Sequence, residues 1–101
     1  MLLSEEEISN RLKQLSGWKR SGEKWIEKRY NFRQFLTGVQ FVNRVAHIAE
    51  EMNHHPLIAI DYKRVTLRLT SWHARGLTAL DFDSAQKFDA AYQQIVKERE
   101  A

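Results

Sequence analysis

The segment Leu57-Ile58-Ala59-Ile60-Asp61-Tyr62-Lys63-Arg64-Val65-Thr66-Leu67-Arg68-Leu69-Thr70-Ser71-Trp72 reads as two strands joined by a tight turn at Lys63-Arg64. Ile58, Ile60 and Tyr62 alternate along the first strand, Leu57 to Tyr62. In the second, Val65 to Trp72, Val65, Leu67 and Leu69 fall on one side; Thr66, Arg68, Thr70 and Trp72 fall on the other. That period of two is the mark of a half-buried strand.

Upstream, Asn31 is placed to cap a long helix that reaches about Met52. The helix carries two apolar stripes. Phe35, Val39, Val42, Ala46 and Ala49 form one, and Phe41, Val45, Ile48 and Met52 the other. A helix lying on a sheet needs only one stripe ~100° wide, so the second implies a further neighbour, either the last helix or another subunit. Before this helix, Trp18-Lys19-Arg20 and Lys24 to Tyr30 flank Ser21-Gly22-Glu23 as a hairpin, with Ile26, Lys28 and Tyr30 on one face. Ser4 and Glu7 form a capping box for a first helix to about Leu15, ended by Gly17. Downstream, Thr78 caps a final helix to about Glu98, with Ala85, Phe88, Tyr92 and Ile95 inward. The order α-β-β-α-β-β-α predicts an α+β fold: one four-stranded antiparallel sheet with helices on one face, in a single domain over residues 1–101.

Composition narrows the function classes. The chain has 101 residues, a net charge of +3 and no cysteine, which excludes a disulfide framework, a thiolate metal site and a cysteine nucleophile. No secretory leader or membrane-length apolar run is present, so a cytoplasmic location is expected. Basic residues are densest from Lys19 to Arg33, but Glu23 and Glu27 interrupt them, as on a solvated hairpin. The sheet lacks the paired aromatics of an RNA-recognition surface, so nucleic acid is not an expected partner. There is no phosphate-binding glycine loop and no nucleophile elbow.

Residues of chemical interest gather between Glu50 and Asp81. In Glu50-Glu51-Met52-Asn53-His54-His55-Pro56, proline disfavours helical geometry at His55. Two imidazoles therefore leave a helix end beside carboxylates. Local chemistry admits three uses for them: capping the last carbonyls, acid/base catalysis, and metal binding. Metal binding fits least well, because adjacent histidines diverge and His47, two turns earlier, is ~10 Å away.

The residues Glu50, His54, His55, Pro56, Tyr62, Trp72 and Asp81, in this order and spacing, resemble the motif of the pterin-4a-carbinolamine dehydratase family. Arg75-Gly76-Leu77-Thr78 also resembles the family's entry to its last helix. The animal enzymes carry a third histidine where this chain has Trp72, and an aromatic where it has Ile58. The resemblance implies a hydro-lyase that removes water from 4a-hydroxytetrahydropterin to give quinonoid dihydropterin, in pterin recycling for aromatic amino-acid hydroxylation. No cofactor and no metal is implied. His54 and His55 would share the acid/base work, with either one protonating the leaving hydroxyl. Glu50, Pro56, Trp72 and Asp81 would form the substrate site: carboxylates orienting an imidazole or bonding the pterin, Pro56 setting the helix exit, and Trp72 walling the ring. A homo-oligomer, dimer or tetramer, is expected. The alternative implied by the family is a dimerisation module acting as a transcriptional cofactor, with the stripe Phe41, Val45, Ile48 and Met52 as its partner face.

Overall fold

The computed structural model describes residues 1–101. Its elements are α1 (Glu5–Lys13), β1 (Lys19–Arg20), β2 (Ile26–Asn31), α2 (Phe35–Met52), β3 (Leu57–Asp61), β4 (Arg64–Leu69) and α3 (Ala79–Arg99). The strands form one antiparallel sheet in the order β1-β2-β4-β3. The second hairpin therefore inserts β4 beside β2 and leaves β3 at an edge. Ile26 and Tyr30 of β2 and Val65, Leu67 and Leu69 of β4 form the buried sheet face, packed with Phe41 and Val45 of α2 and Phe82, Phe88 and Ile95 of α3. The helices cover this face only, and the other carries Glu27, Arg29, Thr66 and Arg68, none of them buried.

Both capping boxes form. The Ser4 hydroxyl accepts from the Glu7 amide, and the Glu7 carboxylate accepts from the Ser4 amide. Thr78 and Asp81 repeat the arrangement at α3. Gly17 follows α1 with φ +84°, and a Cβ there would lie 3.0 Å from Lys28 Cε. Glycine is needed at this point both for its backbone and for the passage of the lysine.

Several boundaries differ from the sequence expectation. Asn31 does not cap α2; it ends β2, paired with Arg64, because ladder hydrogen bonds satisfy its backbone. Gln34 occupies the cap position without a side-chain bond. The Glu100 carboxylate does the work instead, accepting from the Arg33 and Gln34 amides at 2.8–3.0 Å. The second hairpin turns at Tyr62-Lys63, one residue early, with Tyr62 at φ +52°. The first hairpin has a longer loop than expected, so β1 keeps two residues and Trp25 lies outside β2. β4 stops at Leu69, and Trp72 sits in a loop closed by the Ser71–Gly76 bridge, with Arg75 at φ +62°.

The buried face of α2 draws on both expected stripes and packs against the sheet and α3. Thr37, Gly38, Phe41, Val45 and Ala49 are buried, while Phe35 and Ala46 are exposed. Phe41 and Val45 belong to the core, which removes them from any partner face. α3 supplies the second neighbour that the pattern required.

Candidate active site

α2 ends in a left-handed residue, Asn53 at φ 50° and ψ 44°. The His54 amide donates back to the Ala49 carbonyl at 3.0 Å, and the Asn53 amide to Glu50 at 3.2 Å. This pair of bonds is a Schellman closure, and asparagine is among the few non-glycine residues that enter αL readily. It reverses the chain abruptly, so that His54 turns inward as Pro56 leads into β3.

The two histidines then diverge. His54 is buried, and its Nε2 lies 2.7 Å from Asp81 Oδ1 on the first turn of α3. Asp81 is fully buried. Its Oδ2 accepts from the Ser71 hydroxyl at 2.8 Å and from the Thr78 amide at 2.9 Å. The carboxylate thus has donors on both oxygens and sits at the positive end of the α3 dipole. An ionised carboxylate can only accept, so Nε2 carries the proton. His54 Nδ1 makes no hydrogen bond within the chain and is not sealed from solvent.

His55 is exposed and faces back along α2, where its Nε2 pairs with Glu50 Oε2. Each imidazole therefore has its own carboxylate, one pair buried and one wet. Pro56 is half-buried between His55 and the start of β3. Trp72 is 60% exposed and packs edge-on against Trp25, ring centroids 5.1 Å apart. The Arg68 guanidinium lies 4.7 Å from the centre of the Trp25 ring, a cation–π contact that joins this corner to the open sheet face.

The structure thus pairs Glu50 with His55 and Asp81 with His54, and places Trp72 in the loop immediately after Ser71. His47 lies apart, in a groove of about 530 Å³ between α2 and α3 that contains neither His54 nor His55. Three contributors were not singled out for the site from sequence: Asn53, Trp25 and Ser71. Asn53 was findable, as a residue tolerant of αL placed directly after a helix. Nothing local marks Trp25, whose partner Trp72 lies far along the chain, or Ser71, whose partner Asp81 lies 10 residues on in α3.

A small α+β chain with helices on one sheet face and two histidine–carboxylate pairs at its α2–β3 junction defines a recognisable class. Residues 1–91 match the family described as pterin 4 alpha carbinolamine dehydratase, and the chain belongs to that family. A provisionally named pterin-4-alpha-carbinolamine dehydratase of Sulfurisphaera tokodaii is 42% identical over 87 residues, covering 86% of this chain and 92% of that one. A relative of the same name from a Roseiflexus species is 45% identical over the same length, with the same shares covered. Among solved structures, a transcriptional coactivator/pterin dehydratase from Brucella melitensis superposes with a TM-score of 0.88 at 32% identity, over 91% of this chain and 99% of that chain.

Proposed function

We propose that this chain dehydrates 4a-hydroxytetrahydropterin to quinonoid dihydropterin, in pterin recycling for aromatic amino-acid hydroxylation, with His54 and His55 as its proton-transfer groups. The observation that carries the reading is the His54–Asp81 pair, which leaves a solvent-reaching Nδ1 without a protein partner. In a carbinolamine the hydroxyl and the nitrogen share one carbon. The C–O bond breaks as a proton reaches the oxygen, the nitrogen gives up its own proton, and a C=N bond forms with release of water. One group must accept a proton and another donate one. His54, with Nε2–H held by Asp81, is the base; His55, exposed beside Glu50, is the acid. Trp72 and Trp25 offer flat apolar surface for a bicyclic ring.

The test is turnover of freshly generated 4a-hydroxytetrahydropterin by His54→Ala and His55→Ala. Each is expected to lower kcat/KM by ~10²–10⁴-fold, the usual worth of a positioned acid or base. Folded single and double variants that keep wild-type kcat/KM would overturn the assignment.

The uncovered edge of β3 supports the expected homo-oligomer. All five residues, Leu57–Asp61, are exposed, including Leu57, Ile58 and Ile60, and one side of the strand has no ladder partner. Edge strands of this kind pair with another chain unless they are blocked. Ile58→Lys with Ile60→Lys is expected to yield a folded monomer by light scattering. An unchanged mass excludes β3 as the contact. A monomer that retains turnover would separate association from catalysis and so distinguish the enzyme from the transcriptional-cofactor reading.

A further inference from the structure

Asp81 Oδ2 is held by a side chain with its own directed partner. Ser71 is 8% exposed, and its Oγ lies 2.8 Å from Asp81 Oδ2 and 2.8 Å from Thr78 Oγ1. A hydroxyl has one proton to give, and the carboxylate can only accept. Ser71 therefore donates to Asp81, and its oxygen accepts from the Thr78 hydroxyl. Thr78 Oγ1 in turn accepts from the Leu80 amide at 3.3 Å, which leaves its own proton free to point at Ser71. The chain of donors runs Thr78 to Ser71 to Asp81, and His54 Nε2–H meets the carboxylate from the other side.

We infer that Ser71 and Thr78 are positioning residues that lock His54 in the tautomer with a bare Nδ1. The catalytic consequence rests on the dehydratase reading, whereas the tautomer is a property of the chain without substrate. Rotation about a terminal carboxylate torsion is soft, so Asp81 keeps one oxygen aimed at Nε2 only while the other is anchored. The Thr78 amide supplies one anchor and Ser71 the second. Without Ser71 only the Thr78 amide holds Oδ2, the carboxylate turns more freely about that single bond, and Nδ1–H competes better with Nε2–H in the neutral ring. The capping box uses the Thr78 amide and not Ser71, so Ser71→Ala leaves the entry to α3 intact.

The experiment compares wild type, Ser71→Ala, Ser71→Thr and Thr78→Val, each checked for folding by thermal melt. Two readouts are taken: nitrogen-15 NMR of the His54 ring, and kcat with KM on 4a-hydroxytetrahydropterin. Wild type is expected to show one tautomer, Nε2 protonated and Nδ1 bare. Ser71→Ala is expected to mix the tautomers and to lower kcat about tenfold, with KM changed by less than about twofold. Ser71→Thr restores both. Thr78→Val, which keeps the amide anchor, shifts them in the same direction by less. A wild-type ring protonated on Nδ1, or a folded Ser71→Ala with an unmixed tautomer, overturns the inference. Absence of wild-type turnover defeats the dehydratase reading alone, and the NMR comparison still decides for or against the relay.

Discussion

His54 and Asp81, 27 residues apart in sequence, meet at 2.7 Å between Nε2 and Oδ1 beneath the end of β4. The same aspartate closes the capping box of α3. One carboxylate thus joins helix entry to imbalance between the two ring nitrogens. Asp81→Asn keeps the size but offers an amide that can present a donor to Nε2, which favours the opposite tautomer. The expected result is a fall in kcat of roughly 10²–10⁴-fold. Stability should fall by about 1–3 kcal/mol as buried hydrogen bonds are lost. Steady-state kinetics beside urea melts check both, and a variant with wild-type kcat refutes the link.

Asn53 governs the direction of His54 through its left-handed backbone. Asn53→Gly should hold stability within about 1 kcal/mol, since glycine enters αL freely. Asn53→Val should cost about 1–2 kcal/mol or more, and β-branching makes αL worse still. Because the strain sits one residue from His54, the valine variant should also lose activity while folded. Urea midpoints for both variants, with activity measured below the transition, provide the check.

Glu100 reaches across 66 or more residues to cap α2 from outside the helix. Glu100→Ala leaves the Arg33 and Gln34 amides to water and should cost about 0.5–2 kcal/mol, the range of a lost N-cap. Glu100→Gln, which retains an acceptor, should recover part of this. Thermal melts of the two variants at one pH measure the difference, and equal losses would argue against the amide contacts.

Alkaline pH should destabilise the fold through buried Tyr30 and half-buried Tyr92. Burial, followed by the Asp89 hydrogen bond at 2.6 Å, raises Tyr30 beyond the ordinary phenol range. Tyr92 is raised by burial and by the charge of Glu100. The unfolded chain releases these protons near pH ~10, while the folded chain retains them. Stability is therefore intact below that value and falls as pH rises past it. Tyr30→Phe should flatten the fall. Urea midpoints between pH 8 and 11 test this, and parallel curves for the two proteins would contradict it. Asp89 also accepts from Trp18 Nε1 at 3.1 Å and pairs with Lys28 at 2.9 Å. Asp89→Ala, which leaves three part-buried donors without their acceptor, should cost about 1–3 kcal/mol, read from urea midpoints at neutral pH.

Much of the fold was legible because its signals are local. Alternation along Val65–Leu69 and the capping patterns at Ser4 and Thr78 each depend on a few neighbouring residues, and the corresponding elements form. The boundaries that moved were settled by distant partners. Asn31 joins β2 because Arg64 is opposite it, and the α2 cap comes from Glu100 at the other end of the chain. The second stripe of α2 posed a choice between α3 and a subunit, and Phe41 and Val45 went into the core that the sheet and α3 share.

The site divides along the same line. Local chemistry drew attention to Glu50, His54 and His55 at a helix end, and resemblance to the family motif added Pro56, Trp72 and Asp81 to the expected site. Which carboxylate serves which histidine depended on the reversal at Asn53, which sends adjacent rings to different surroundings. The Ser71 contact depended on bringing the loop after β4 against the first turn of α3. Such pairings are set by backbone paths meeting in space, and a hydrogen bond of 2.8 Å leaves no trace in the spacing of the residues that make it.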